Sequence, residues 1–126
     1  MPHRVSKEEF AELVEKALQG LPEPFTGFLA EVPIEIRSHP TISQMKSVGL
    51  TDGAMLLGLY HGRPRTRRSV LDSGAMPDVI YIFQEHIEQY CNSRDELIEQ
   101  VRKTVMHEIG HHFGMTEEDL TRIGYG

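Results

Sequence analysis

Apolar side chains recur at helical spacing near the start of the chain. Ser6 and Glu9 have the spacing of a capping box, with Ser6 as the N-cap and Glu9 three positions later. The apolar residues after them fall on one face of a helix: Phe10, Leu13, Val14 and Ala17. Gly20 and the prolines beyond it end the pattern. We therefore predict a helix over Ser6–Leu18.

A longer helical pattern lies near the C-terminus. Ser93 and Glu96 form a second capping-box pair, and apolar residues then repeat every four positions: Leu97, Val101, Val105 and Ile109. We predict a helix over Ser93–Phe113, after which Gly114 is placed to end it in the left-handed conformation. Thr116 and the acidic residues that follow it are typical of the first turn of a short last helix.

Three short runs between these helices have strand character. They are rich in β-branched and aromatic residues or alternate in polarity, and they cover Val32–Ile36, Met55–Tyr60 and Val79–Phe83. Pro33 restricts the first run to a sheet edge or a strand end. Arg63–Asp78 is typical of a loop, and Glu85–Tyr90 of a short helix. The order predicts an α+β domain in which a small mixed sheet packs on the two long helices.

Composition and charge narrow the class of protein. The chain has 126 residues, so we expect one domain over residues 1–126. A formal net charge of -6 argues against general nucleic-acid binding, because phosphate contacts need a basic surface. Cys91 is the single cysteine, which excludes an internal disulfide and a cysteine-based zinc site. Without a secretory signal or a membrane-spanning run, we expect a cytoplasmic domain that does not bind membranes. The sequence does not indicate its oligomeric state.

The chemistry is carried by the HExxH motif from His107 to His111. Residues four apart lie on one face of a helix, so His107 and His111 can both reach one zinc ion. Glu108 is rotated away from both imidazoles and can reach the water on the metal, whose pKa zinc lowers. The motif therefore predicts one Zn²⁺ per chain, with Glu108 as the general base.

A bare HExxH also arises by chance, as two histidines on a solvated helix. Here the motif lies on the best-defined helix of the chain, away from the centre of its apolar stripe at Val101 and Val105. Gly114 follows where the chain can turn and bring a third ligand back. This context favours a metal site, and imidazole with carboxylate suits zinc.

Residues 107–117 read H-E-x-x-H-x-x-G-x-x-E and resemble the zincin-like metallopeptidases, a small bacterial family related to metzincins and Asp-zincins. The resemblance runs from Met55 to the end and includes Pro77-Asp78, the arginine-containing loop and the "HHFG" sequence. It implies a minimal zincin-like fold and a third, acidic ligand ten residues after the first histidine, at Glu117. The usual residue there is Asp, so Glu118 and Asp119 stay open as alternatives. An ordinary acidic helix turn would explain all three without a metal.

Further residues are candidates for substrate contact. Tyr125 could donate its hydroxyl to an oxyanion, or could be a frayed terminal aromatic. His112 is expected to pack or to support a ligand rather than to bind the metal. Val79–Phe83 is the candidate strand for holding an extended peptide. The loop arginines are expected to be solvated, although they could favour acidic substrates: Arg63, Arg65, Arg67 and Arg68.

The predicted function is a zinc-dependent peptidase that acts on a peptide or protein substrate. One alternative is a metal-dependent hydrolase like the bacterial endoribonucleases, whose three-histidine zinc site has nearly the same spacing. The net acidity, the carboxylate in place of a third histidine, and Glu108 argue against it. A second alternative is a non-catalytic, zinc-stabilised binding module. Glu108 argues against that one too, because a structural site needs no general base and usually closes its fourth position.

Overall fold

The computed structural model describes residues 3–23, 25–51, 53–61 and 78–124. Within these ranges the chain forms six helices and three strands. The helices are α1 (Lys7–Leu18), α2 (Phe25–Glu31), α3 (Ile42–Ser47), α4 (Gln84–Gln89), α5 (Arg94–His112) and α6 (Glu117–Arg122). The strands are β1 (Ile34–Arg37), β2 (Gly58–His61) and β3 (Val79–Phe83).

The three strands form one mixed sheet in the order β1-β3-β2. β1 runs parallel to β3, with Ile34 opposite Ile80, and β2 runs antiparallel to β3, with Gly58 opposite Ile82. β3 is therefore the central strand. Ile80 and Ile82 are fully buried, which follows from their position on the inner face of the central strand.

Helix α5 is the centre of the fold and contacts α1, α4, α6, β2 and β3. Both apolar stripes predicted from the sequence are buried: Phe10, Leu13, Val14 and Ala17 on α1, and Leu97, Val101, Val105 and Ile109 on α5. Ser6 and Ser93 each cap their helix by accepting a hydrogen bond from the backbone N–H of the residue three positions on. The predicted α+β fold, with a small mixed sheet and two long helices, is confirmed.

Two helices, α2 and α3, were not predicted. Each has only six or seven residues, so neither can show a repeating apolar stripe, and each buries a single residue, Phe25 or Met45. Thr41 and Gln44 form a complete capping box at the start of α3. That pair was the sequence signal that could have located α3.

Strand boundaries also differ from the prediction. The first strand begins at Ile34 rather than Val32, because the backbone N–H of Val32 still bonds to the carbonyl of Phe28 at the end of α2. The second strand is Gly58–His61 rather than Met55–Tyr60. The loop arginines and Tyr125 lie outside the described residues. Among the described helices, none is long and apolar enough to cross a membrane.

Candidate metal centre

Helix α5 carries His107 and His111 on one face, one turn apart. Their ring centroids are 6.1 Å apart and their planes are inclined by 72°. His107 has 32% of its side chain exposed and His111 has 52%. The last turn of α5 therefore presents two partly accessible imidazoles, which a solvent-borne ion can reach.

The chain reverses directly after α5 through a Schellman turn. Gly114 has a φ of 78°, a conformation that glycine adopts without a steric cost. Its N–H donates to the carbonyl of His111, and the N–H of Met115 donates to the carbonyl of Gly110 over 2.8 Å. The left-handed cap predicted at Gly114 is thus present, and it turns the chain back towards the histidines.

Helix α6 starts immediately after this turn. Thr116 accepts from the N–H of Asp119, and the Asp119 carboxylate accepts from the N–H of Thr116, which completes a capping box. Hydrogen bonds from the Thr116 backbone N–H and, by a smaller amount, from the Thr116 side chain lower the pKa of the Asp119 carboxyl group. Leu120, fully buried, packs against Gly110 of α5 and fixes α6 to that helix. The position of Glu117 is therefore set by a turn, a cap and a core contact.

Glu117 is the acidic residue that the structure brings to the histidines. Its Oε1 lies 3.1 Å from Nε2 of His111 and 3.4 Å from Nδ1 of His107. The other two acidic residues of the run are engaged elsewhere. Asp119 completes the capping box, and Glu118 lies 3.8 Å from Arg122.

The three side chains fit a zinc ion. One ligand atom from each of His107, His111 and Glu117 lies within 4.8 Å of the others. Tetrahedral ligands held at zinc distances lie about 3.3 Å from one another, close to the two separations that Glu117 makes. Two imidazoles and one carboxylate are also a donor set that zinc accepts. Among the described residues, these three would hold a zinc ion, as in catalytic sites that keep one position for water or substrate.

Glu108 is partly buried beside this triad. Burial raises the pKa of its carboxyl group, and the two neighbouring imidazoles and the backbone N–H of Tyr60 lower it by smaller amounts. The Tyr60 hydrogen bond fixes the carboxylate at the edge of β2. Glu108 is thus a carboxyl group held out of bulk water next to the two histidines.

A cleft of about 500 Å³ runs along this part of α5. One wall is the α5 face that carries the two histidines and Glu108, and the other is Leu57 and Gly58 at the start of β2. A Cβ on Gly58 would lie 2.6 Å from Cγ2 of Thr104, so only glycine lets the strand approach α5 this closely. The close approach places the start of β2 against Thr104 and Glu108 of α5.

Sequence comparison agrees with this geometry. A family model described as zincin-like metallopeptidase matches residues 29–126, more than half of the chain. The chain belongs to the zincin-like metallopeptidase family. The match begins well before Met55, where the resemblance read from the sequence became weak. No curated protein matches this chain significantly.

The prediction that Val79–Phe83 holds the substrate in this zincin-like domain is wrong. Both sides of β3 are occupied, by β1 and by β2, so β3 has no edge to offer. β2 is the strand that lies beside the site, since Gly58 lines the cleft and Tyr60 bonds to Glu108. The sequence suggested β3 because β3 is the last strand before the helix. In the sheet, however, β2 lies on the outer side of β3 and so borders the site.

His112 packs, as predicted, among aromatic rings of the zincin-like domain. Its ring centroid is 4.8 Å from that of Phe28 and 5.0 Å from that of Tyr60. Phe28 also contacts Phe113 edge-on. This cluster joins α2, β2 and the end of α5, so it packs against the last turn of the helix that carries His107 and His111. The sequence did not indicate it, because α2 was not predicted.

Proposed function

We propose that this zincin-like domain is a zinc-dependent peptidase in which His107, His111 and Glu117 hold the metal and Glu108 is the general base. The observation that carries the proposal is the contact of one Glu117 oxygen with both imidazoles, 3.1 and 3.4 Å away. Family membership supports a metallopeptidase, and the donor set supports zinc.

The protein's own residues account for the proton transfers. When bound, zinc supplies Lewis-acid chemistry and lowers the pKa of a coordinated water to near neutrality. Glu108 takes the proton of the attacking water and delivers it to the amine nitrogen that leaves. Burial of Glu108 raises the pKa of its carboxyl group in the metal-free protein and so favours the protonated form that returns the proton.

The edge of β2 is proposed to hold the peptide. The N–H of Phe83 donates to the carbonyl of Leu57, so in this antiparallel pair Leu57, Leu59 and His61 direct their backbone groups towards β3. Gly58 and Tyr60 direct theirs the other way. The N–H of Tyr60 already bonds to Glu108. The backbone N–H and carbonyl of Gly58 face that side and can pair with an extended substrate.

The two alternatives receive less support from the site. A purely structural zinc site would be closed by a fourth protein ligand, whereas here the fourth neighbour is a partly buried acid suited to proton transfer. A nuclease like the three-histidine enzymes would need an imidazole where Glu117 lies. No basic surface is present near the triad that would suit a polynucleotide, within the part of the chain that is described.

The test combines metal content with cleavage. Elemental analysis of wild type and His111→Ala, side by side, should find about one zinc per wild-type chain and a large loss in the variant. Zinc-loaded wild type should then cleave members of a peptide library, while Glu108→Gln should keep its zinc and cleave none. Wild type that holds no metal after zinc addition and dialysis would refute the site. Zinc binding without cleavage of any peptide would instead favour the binding module.

A further inference from the structure

We infer that Lys103 recognises a carboxylate of the substrate on the C-terminal side of the cleaved bond. This inference rests on the proposed peptidase function and adds a substrate class to it: peptides that carry an acidic side chain, or their own C-terminus, just beyond the cleavage point. Lys103 lines the same cleft as His107, Glu108 and His111.

Helix geometry sets the distance between Lys103 and the metal triad. Lys103 precedes His107 by four residues on α5, so the two side chains lie on one face and are separated by about 6 Å along the axis. An extended peptide advances about 3.3 Å per residue, so this separation corresponds to roughly two substrate residues. Lys103 is therefore within reach of the first or second residue beyond the scissile bond.

The charge of Lys103 is not compensated by any carboxylate among the described residues. Its neighbour one turn earlier, Glu99, is paired with Arg102. No described carboxylate lies within ion-pairing distance of Lys103, although the chain as a whole is acidic. A cation that faces a cleft without an internal partner is available to a ligand, and Gln100 beside it in the same wall offers an amide for hydrogen bonding.

The charge balance of the loaded site favours an anion. With zinc bound, the two positive charges of the ion would offset those of Glu117 and Glu108, and Lys103 would be the remaining charge among the described residues that line the cleft. The pull on an acidic substrate is therefore expected to be strongest in the zinc-loaded protein. In the metal-free protein the two carboxylates outweigh Lys103 and should repel the same peptide.

The direction of the substrate follows from the direction of β2. Along α5, Thr104 lies against Gly58 and Glu108 bonds to Tyr60, so Lys103 lies towards the N-terminal end of β2. An antiparallel peptide, which is the more stable pairing, would run opposite to β2. Its C-terminal part would then lie beside Lys103. An acidic side chain there and a free C-terminal carboxylate offer the same chemistry.

The substrate experiment uses matched peptides around one cleaved bond. The first set carries Glu, Gln or Lys one or two residues beyond the cleaved bond, and its C-terminus lies several residues further on. The second set ends one or two residues beyond the cleaved bond, either as a free acid or as an amide. The ratio of kcat/KM for acidic over neutral peptides is measured for wild type, Lys103→Met, Lys103→Glu and the control Lys46→Met, whose lysine lies on α3 outside the cleft.

The expected result is a preference for Glu over Gln that falls about fivefold in Lys103→Met, turns towards Lys in Lys103→Glu, and is unchanged in Lys46→Met. If only the free-acid set responds, the carboxylate recognised is the C-terminus. A ratio that is the same in wild type and Lys103→Met would overturn the inference. So would a preference for acid on the N-terminal side of the cleaved bond.

A binding measurement separates this inference from the proposed function. Fluorescence anisotropy measures the binding of the same peptides, carrying a fluorescent label, to the zinc-loaded Glu108→Gln variant. This measurement does not depend on turnover. Acidic peptides should bind more tightly than neutral ones. This difference in affinity should disappear in the double variant that also carries Lys103→Met, and when zinc is removed. If no peptide is cleaved by wild type, peptidase function fails, and this binding difference alone still decides the role of Lys103.

Discussion

Leu120 on α6 occupies the space that any side chain at Gly110 would need. A Cβ on residue 110 would lie 2.7 Å from Cδ2 and 3.3 Å from Cδ1 of Leu120. Gly110 is one of the two variable positions inside HExxH, and Leu120 lies three residues beyond Glu117. The contact therefore ties the two segments that carry the proposed ligands, and it makes a core residue responsible for where the third ligand lies.

Gly110→Ala is expected to push α6 away from α5 and to weaken zinc binding. Alanine favours the helix itself, so a loss would come from the displaced Leu120, at a cost of about 1–3 kcal/mol for overpacking. Zinc affinity by competition with a chelating dye and the free energy of unfolding by urea would measure both effects. Adding Leu120→Ala should remove the clash, so the double variant should lose less stability than the sum of the two single variants. If the stability losses of the two single variants simply added up in the double variant, the proposed contact between residue 110 and Leu120 would be contradicted.

Glu117→Gln should weaken zinc binding far more than Glu118→Gln does. Both residues lie exposed in the first turn of α6, so they share helix position and charge, but only Glu117 contacts the histidines. Isothermal titration with zinc should show a loss of at least about tenfold for the first variant and little change for the second. Equal effects would mean that general acidity of the turn, not a ligand, attracts the ion.

Asp119→Ala tests the third acidic residue in the first turn of α6. Asp119 closes the capping box with Thr116, so its removal should cost about 1 kcal/mol of stability through the helix cap. Zinc affinity should fall only as far as α6 loosens. A thermal melt in the presence of a chelator would separate this capping effect from any direct loss of metal.

Glu108→Gln should raise the stability of the metal-free protein at neutral pH while it abolishes cleavage. Because burial raises the pKa of Glu108, the folded state holds the proton more tightly than the unfolded state does. Wild-type stability therefore falls as pH rises above the ordinary glutamic acid pKa, and glutamine does not pay this cost. The stability difference between variant and wild type should grow as the pH rises above 4.5, the ordinary pKa of a glutamic acid side chain, and level off once the pH passes the raised pKa of Glu108.

With bound zinc retained, the same variant should lose at least about 10²–10⁴-fold in kcat, as expected for removal of a general base, which takes cleavage below detection in the peptide assay. Urea unfolding at several pH values, with chelator present, measures the free energy of unfolding. A peptide cleavage assay measures the loss of kcat. A variant that is less stable than wild type at pH 7 would contradict the burial argument for Glu108.

Cys91 should be unreactive in the folded protein and should reduce stability in strong alkali. Burial, with smaller contributions from Glu96 and Glu88, raises the pKa of the thiol from 9.0 to about 11. Below pH 9 both the folded and unfolded states keep a neutral thiol. As pH rises from 9 towards 11 the unfolded state ionises first, so stability is lost.

The comparison with Cys91→Ala isolates this thiol from the other groups that titrate in alkali. The free energy of unfolding of wild type should fall relative to the variant between pH 9 and 11. A colorimetric thiol reagent at pH 8 should label Cys91 only after denaturant is added. Rapid labelling of the native protein would mean that the thiol is accessible.

The long helices and the core were predictable because their signals are local. A capping serine followed by apolar residues at helical spacing identifies a helix whatever it packs on, and α1 and α5 bury those stripes. The same holds for Gly114, whose place at the end of the apolar pattern predicts its positive φ. Helices α2 and α3 are too short to carry a period, so tertiary contacts decide them.

The ligand candidates were likewise predictable from spacing, since residues four apart on a helix share a face. The sequence alone left three acidic residues open after Gly114. Their order along the chain cannot tell which of them turns towards the histidines. Asp119 is used by the capping box. The packing of Leu120 against Gly110 fixes the rotation of α6 that directs Glu117 towards His107 and His111.

The sequence by itself therefore determined the fold class, the two main helices and the HExxH pair, because each depends on periodicity within one segment. Only the tertiary structure decided that β2 rather than β3 borders the cleft, and that the missing side chain of Gly58 lets β2 lie close to α5. It also decided that Glu117, rather than Glu118 or Asp119, contacts the histidines. These depend on strand order and on contacts between segments far apart in the chain, which no local pattern encodes.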